Sequence, residues 1–125
     1  MIKKVLLIDD NDVFRKAISD TLEIMNFKVT PLTDGKNVLQ YLKTTRYDII
    51  ITDIIMPDKD GFETINDIRK YDQSIPIIAV TGDGAYEQNQ NLKIAEKLGA
   101  TDTIMKPFET SALVEKINNI LQMNH

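Results

Sequence analysis

The sequence contains no cysteine, which excludes thiol catalysis, disulfide bonds and cysteine metal sites. Histidine is nearly absent as well: the single copy, His125, is the terminal residue, where chain ends fray and no functional role is expected. No apolar run approaches the roughly 18 residues of a membrane span. The opening MIKKVLLIDD meets a charged pair too early for a secretory signal, so a cytoplasmic protein with no membrane contact is expected. An excess of positive charge is missing too. Lys and Arg total 15 against 19 Asp and Glu, a formal net charge of -4. That is the wrong sign for gripping a polyanionic backbone, so direct nucleic-acid binding is not expected.

What remains is the composition of one folded unit. The 125 residues are 42% hydrophobic and 27% charged, close to ordinary soluble domains. A chain of this length buries about two-thirds of its unfolded surface and can stand without staples. No repeat, low-complexity tract or linker divides it, and residues 1–125 are read as a single domain.

Short β-branched runs recur at Val5 to Ile8, Ile49 to Ile51, Ile77 to Val80 and, more weakly, Thr103 to Met105. Runs without alternation suit strands buried on both faces of a parallel sheet. Between them lie helical spacings: Val13, Ala17, Ile18, Leu22 and Met25, and later Ala112, Leu113, Ile117, Ile120 and Leu121. Phe27 to Leu32 carries Pro31, which cannot donate to a ladder and so belongs in an edge strand. Gly35, Gly61 and Gly99 stand where turns or helix caps are needed. The alternation of strand and helix predicts an α/β, doubly wound five-stranded parallel sheet in a three-layer sandwich. An edge position for the second strand fits the flavodoxin-like order 2-1-3-4-5.

Ligands of open parallel sheets bind outside the carboxyl ends of the strands. Asp9 and Asp10 follow the first run, Asp53 the third, Thr81 the fourth and Lys106 the fifth. Crowded carboxylates repel, and a hard divalent cation with oxygen ligands relieves them; Mg²⁺ is the expected ion. With a lysine and a hydroxyl nearby, such a site is arranged to neutralise a transferring phosphoryl group, and phosphoryl transfer to an aspartate is the chemistry indicated. Each residue also has an ordinary reading. Asp9, Asp10 and Asp12 could cap the first helix, Asp53 a turn, and Thr81 and Lys106 could be a turn hydroxyl and a solvated lysine. Their convergence on one sheet edge decides for the site. Asp58, Asp60, Asp83 and Asp102 lack such positions and are read as loop or cap residues.

The acid pair in VLLIDDND, the segment IITDIIMPDKDG, and the strings AVTGD and IMKPF agree in order and spacing with one family. The chain resembles, over nearly its whole length, a receiver domain of two-component response regulators of the single-domain chemotaxis type. The resemblance implies Asp53 as phosphoacceptor, Asp10 as a direct Mg²⁺ ligand and Asp9 as a ligand acting mainly through water. It also implies the backbone carbonyl of Ile55 as a further metal ligand, Thr81 and Lys106 as partners of phosphoryl oxygens, and a cis Lys106–Pro107 bond. The implied donor is a phosphohistidine on a sensor histidine kinase or phosphotransfer protein, since no histidine here could serve. The protein would catalyse only its own phosphorylation and dephosphorylation, with Ile55 and Asp83 tuning the lifetime of the acyl phosphate.

One departure concerns the switch. Where the family carries an aromatic on its last strand, this sequence has Thr103; Tyr86 is a candidate replacement. No effector sequence follows the fifth helix, expected to end near Leu121. Output is therefore expected through a downstream protein target on the face of the fourth helix, last strand and last helix, with a phosphorylation-dependent homodimer as a second use. A receiver cut from a longer regulator would read the same way. Two rivals stand beside this reading. Asp10, Asn11, Asp12 and Val13 are similar to the opening motif of haloacid-dehalogenase phosphatases, although Asp53 is then unexplained. The other rival is an adaptor that is never phosphorylated.

Overall fold

The computed structural model describes residues 2–54, 61–82 and 85–123, with the side chains of 85–89 and 123 excluded. Ten elements alternate: β1 (Lys3–Ile8), α1 (Asp12–Ile24), β2 (Phe27–Leu32), α2 (Val38–Thr44), β3 (Ile49–Asp53), α3 (Gly61–Tyr71), β4 (Ile77–Thr81), α4 (Ala85–Leu98), β5 (Asp102–Met105) and α5 (Thr110–Met123). The strands form one sheet in the order β2-β1-β3-β4-β5, and every pairing is parallel. Pro31 lies in β2, at the sheet edge, opposite Leu7. There its missing N–H leaves no central ladder broken.

The uninterrupted apolar runs are explained by two cores. Because successive strand residues point to opposite faces, Val5, Leu7, Ile49, Ile51, Ile78 and Val80 pack with Ile18 and Leu22 of α1 and with Leu113, Val114, Ile117 and Ile120 of α5. Their neighbours Leu6, Ile8, Ile50, Ile77 and Ala79 pack with Val38 of α2, Ile65 and Ile68 of α3 and Ala95 of α4. Parallel strands require crossovers, and placing them on both faces leaves the carboxyl ends of the strands open at one edge. No helix among the described residues is long and apolar enough to cross a membrane.

Two amphipathic faces differ from expectation. In α1 the inward stripe runs through Phe14, Ile18 and Leu22, at i, i+4 and i+8, while Val13 is 82% exposed and Ala17 and Met25 also face solvent. Starting the stripe at Val13 rotated it by about one residue's 100°. In α5 Val114 is buried and Ala112 exposed, and the helix runs on to Met123 rather than ending near Leu121.

Local chemistry fixes the helix ends. Asn11 caps α1, its side chain accepting from the Phe14 N–H at 2.9 Å. Asn26, at φ 73°, turns the chain left-handed after α1, a conformation Asn tolerates better than most residues. Gly99 does the same after α4 at φ 112°, and the Arg69 guanidinium donates to its carbonyl at 2.9 Å. Burial of that guanidinium lowers the Arg69 pKa from its ordinary value, opposed by the charge of Asp72.

Candidate functional site

Strand register assembles the site. Ile8 pairs with Thr52, so Asp9, the next residue, stands level with Asp53 at the end of β3. Thr81 pairs with Met105, and the Lys106 N–H donates to the Thr81 carbonyl at 2.9 Å. The sheet therefore delivers Asp9, Asp10, Asp53, Thr81 and Lys106 to one edge. Asp9, Asp53 and Thr81 are buried, at 1%, 6% and 0% exposure, whereas Asp10 faces solvent.

Three carboxylate oxygens, one each from Asp9, Asp10 and Asp53, lie within 4.8 Å of one another. Lys106 Nζ donates to Asp9 Oδ2 at 3.0 Å and to Asp53 Oδ2 at 3.2 Å. Burial opposes the charge on Lys106, but the pull of Asp53 and the hydrogen bond and charge of Asp9 outweigh it and hold its pKa above the ordinary lysine value. Asp9 Oδ1 accepts the Asn11 N–H at 2.9 Å, which fixes the carboxylate's orientation. Among the described residues, Thr81 Oγ1 is buried with no hydrogen-bond partner. Buried hydroxyls are normally satisfied, so this one is suited to an oxygen brought in by a ligand.

An all-oxygen donor set with one exposed carboxylate is what a hard divalent cation needs, so Asp9, Asp10 and Asp53 fit Mg²⁺. Ile55, expected to add a carbonyl, lies outside the described residues, as do Asp58, Asp60, Asp83, His125 and the side chain of Tyr86. Thr103 is half-buried on β5, opposite Ala79. The Lys106–Pro107 peptide is cis. Asp102 lies in β5 rather than a loop, and its carboxylate pairs with Lys116 of α5 at 3.2 Å. Asp12, the acid/base partner of the phosphatase reading, is exposed in the first turn of α1 and pairs with Arg15 at 2.6 Å.

Four residues that carry the site were not picked out as doing so from sequence. Asn11, rather than an aspartate, supplies the helix cap, leaving the acids for the cluster. Arg15 donates to the Asp9 carbonyl at 2.8 Å; its spacing of three from Asp12 was the available signal. Gly61 opens α3, and its N–H donates to the Ile54 carbonyl at 2.6 Å. A Cβ there would collide with the Asp53 carbonyl and the Ile54 Cα, so only glycine allows α3 to press against the strand end that bears Asp53. Phe14 lies with its ring centroid 4.0 Å from Lys106 Nζ and edge-on to Phe108 at 5.5 Å. Asp10, Asn11, Phe14, Asp53, Lys106 and Phe108 help line an open cavity of about 670 Å³.

A family model described as the response regulator receiver domain matches residues 5–118. The chemotaxis protein CheY of Halobacterium salinarum is 31% identical over 97% of this chain and 98% of its own length. The transcriptional regulatory protein CpxR of Escherichia coli is 34% identical over 98% of this chain but only 50% of its own. The chain thus spans about half the length of the transcriptional regulators it matches and nearly all of the chemotaxis protein. Among solved structures, Vibrio cholerae chemotaxis protein CheY4 superposes with a TM-score of 0.84 at 30% identity, covering 95% of this chain and 98% of its own. A CheY-like receiver domain protein from Methanospirillum hungatei gives 0.88 at 25% identity, covering 98% and 96%.

Proposed function

Because the chain belongs to the response regulator receiver domain family, we propose that residues 1–125 act as one receiver unit, a signalling switch that stores a phosphoryl group on Asp53. The donor is a phosphohistidine on a histidine kinase or phosphotransfer protein. A carboxylate oxygen of Asp53 attacks phosphorus in line as the P–N bond breaks, and the bonding electrons return to the donor's imidazole. The product is an acyl phosphate. Asp9, Asp10 and Asp53, with the Ile55 carbonyl that the family resemblance implies, would hold Mg²⁺, which would supply positive charge against the phosphoryl oxygens.

The chain's own groups do the rest. Lys106, already 3.2 Å from the acceptor oxygen, offsets the charge that arrives, and the buried Thr81 hydroxyl donates to a phosphoryl oxygen. Water attacking the same phosphorus returns Asp53 to its carboxylate, so the only chemistry catalysed is the protein's own loading and unloading, with Ile55 and Asp83 setting its pace. The observation that carries this reading is one ammonium shared by two buried carboxylates inside a three-carboxylate cluster. Output passes to a protein target or a second copy through α4, β5 and α5, where Ile94 and Met105 are exposed apolar side chains. The phosphatase alternative is not favoured, because it gives Asp53 no task and its acid/base residue is turned to solvent.

Acetyl phosphate with Mg²⁺, read by intact mass, tests the reading. One phosphoryl group should be gained by the natural chain and none by Asp53→Asn or in EDTA. An unmodified natural chain would instead support the adaptor reading.

A further inference from the structure

Lys106 is bounded by more than acids. Its Nζ sits 4.0 Å from the Phe14 centroid, inside the roughly 6 Å over which a ring face attracts a cation. The ring is itself fixed at three points. The Phe14 N–H is held by the Asn11 cap, the side chain rests against the core beside α5, and Phe108 meets it edge-on with the planes at 86°. Phe108 stands two residues beyond Lys106, so the segment after β5 that bears the ammonium also braces the ring on which it rests.

We propose that Phe14 is a positioning residue for phosphoryl transfer, its ring face holding the Lys106 ammonium at the mouth of the Asp9–Asp10–Asp53 cluster. The proposal rests on the reading of Asp53 as acceptor. Before transfer, Asp9 and Asp53 both bind the ammonium; on transfer the Asp53 carboxylate oxygen becomes part of an acyl phosphate, and Lys106 must follow the charge to the phosphoryl oxygens. Of the contacts named here, those to Asp9 and the ring are the two that do not depend on that exchange. An aliphatic side chain at 14 would fill the same core margin and desolvate the ammonium without compensating it, while the ring's negative face compensates it.

Shape and electrostatics separate by placing phenylalanine analogues with one, two and three ring fluorines at position 14. These keep the ring in place while progressively removing the negative face. Phosphorylation by acetyl phosphate and Mg²⁺ should slow stepwise, reaching about fivefold with three fluorines, and Phe14→Leu should be slowed about as much. In the metal-free protein, the Lys106 ε-methylene NMR signals should be shifted upfield by the ring in the natural chain and lose that shift in Phe14→Leu. Equal rates across the fluorine series would overturn the proposal, as would ε-methylene signals at unshifted positions in the natural chain. If the natural chain gains no phosphoryl group at all, the acceptor reading itself fails and the proposal falls with it, which is a different result from a natural chain that loads normally alongside a flat series.

Discussion

Replacing Asp53 by Asn should make the metal-free protein more stable, because the proposed acceptor is held at an electrostatic cost. Its carboxylate lies within 4.8 Å of two others and 3.2 Å from the Lys106 ammonium. At an effective dielectric of about 20, each repulsion over 4.8 Å is worth about 3.5 kcal/mol and the attraction over 3.2 Å about 5 kcal/mol. The two repulsions win by about 1–2 kcal/mol, falling to about 0.4 kcal/mol at the dielectric of water. Asparagine keeps the shape and one oxygen for Lys106 while deleting the charge. In EDTA, urea unfolding of Asp53→Asn should therefore give a stability about 1 kcal/mol above the natural chain, with an unchanged denaturant slope. Mg²⁺ should reverse the order, because it binds the folded state and finds one carboxylate fewer in the variant. A variant no more stable than the natural chain in EDTA, or equal stabilisation of both by Mg²⁺, would refute this reasoning.

Other perturbations follow from the same geometry. Gly61→Ala forces a methyl against the backbone of Asp53 and Ile54 and should lose about 2 kcal/mol in thermal or urea unfolding; Gly82→Ala, where a Cβ would meet nothing within 4 Å among the described residues, is the near-neutral control. Thr81→Val removes a buried hydroxyl that has no partner among the described residues, so the resting protein should gain about 1 kcal/mol while phosphorylation by acetyl phosphate slows; a less stable variant would contradict the assignment. Asp72 accepts from the backbone and hydroxyl of Ser74 and the backbone of Ile75, and the Ser74 backbone bond, opposed by partial burial, leads in lowering its pKa from the ordinary value. A depressed carboxylate contributes stability that is present above its unfolded pKa and lost as pH falls through the folded one. Asp72→Asn should therefore lower stability at neutral pH and flatten the acid limb of a stability–pH curve below about pH 4, so that the two curves converge in acid.

The sheet order and the main site were legible in the sequence for one physical reason. β-Branched runs buried on both faces imply a parallel sheet, and a parallel sheet brings all strand carboxyl ends to one edge. Asp9, Asp53, Thr81 and Lys106 follow directly from that rule, and the fold places all four at that edge, with Lys106 bonded to both acids. What the rule cannot supply is the support around them. Phe14 reads as one more apolar residue of an amphipathic helix, and only the fold shows that the cation on its ring comes from a residue 92 positions away. Gly61 reads as a turn glycine, yet its role is set by a backbone contact to β3. The inward face of α1 was misplaced because Val13 and Phe14 are adjacent apolar residues, and periodicity alone does not say which of them starts the stripe.

The central claim is that Asp53 carries the phosphoryl group. Loading the chain from a phosphorylated histidine donor with Mg²⁺, reducing the acyl phosphate with borohydride and sequencing the peptides by mass spectrometry locates it directly. The account predicts conversion of residue 53 alone to homoserine; conversion at Asp9 or Asp10, or no conversion in a chain that has gained phosphate, would contradict it.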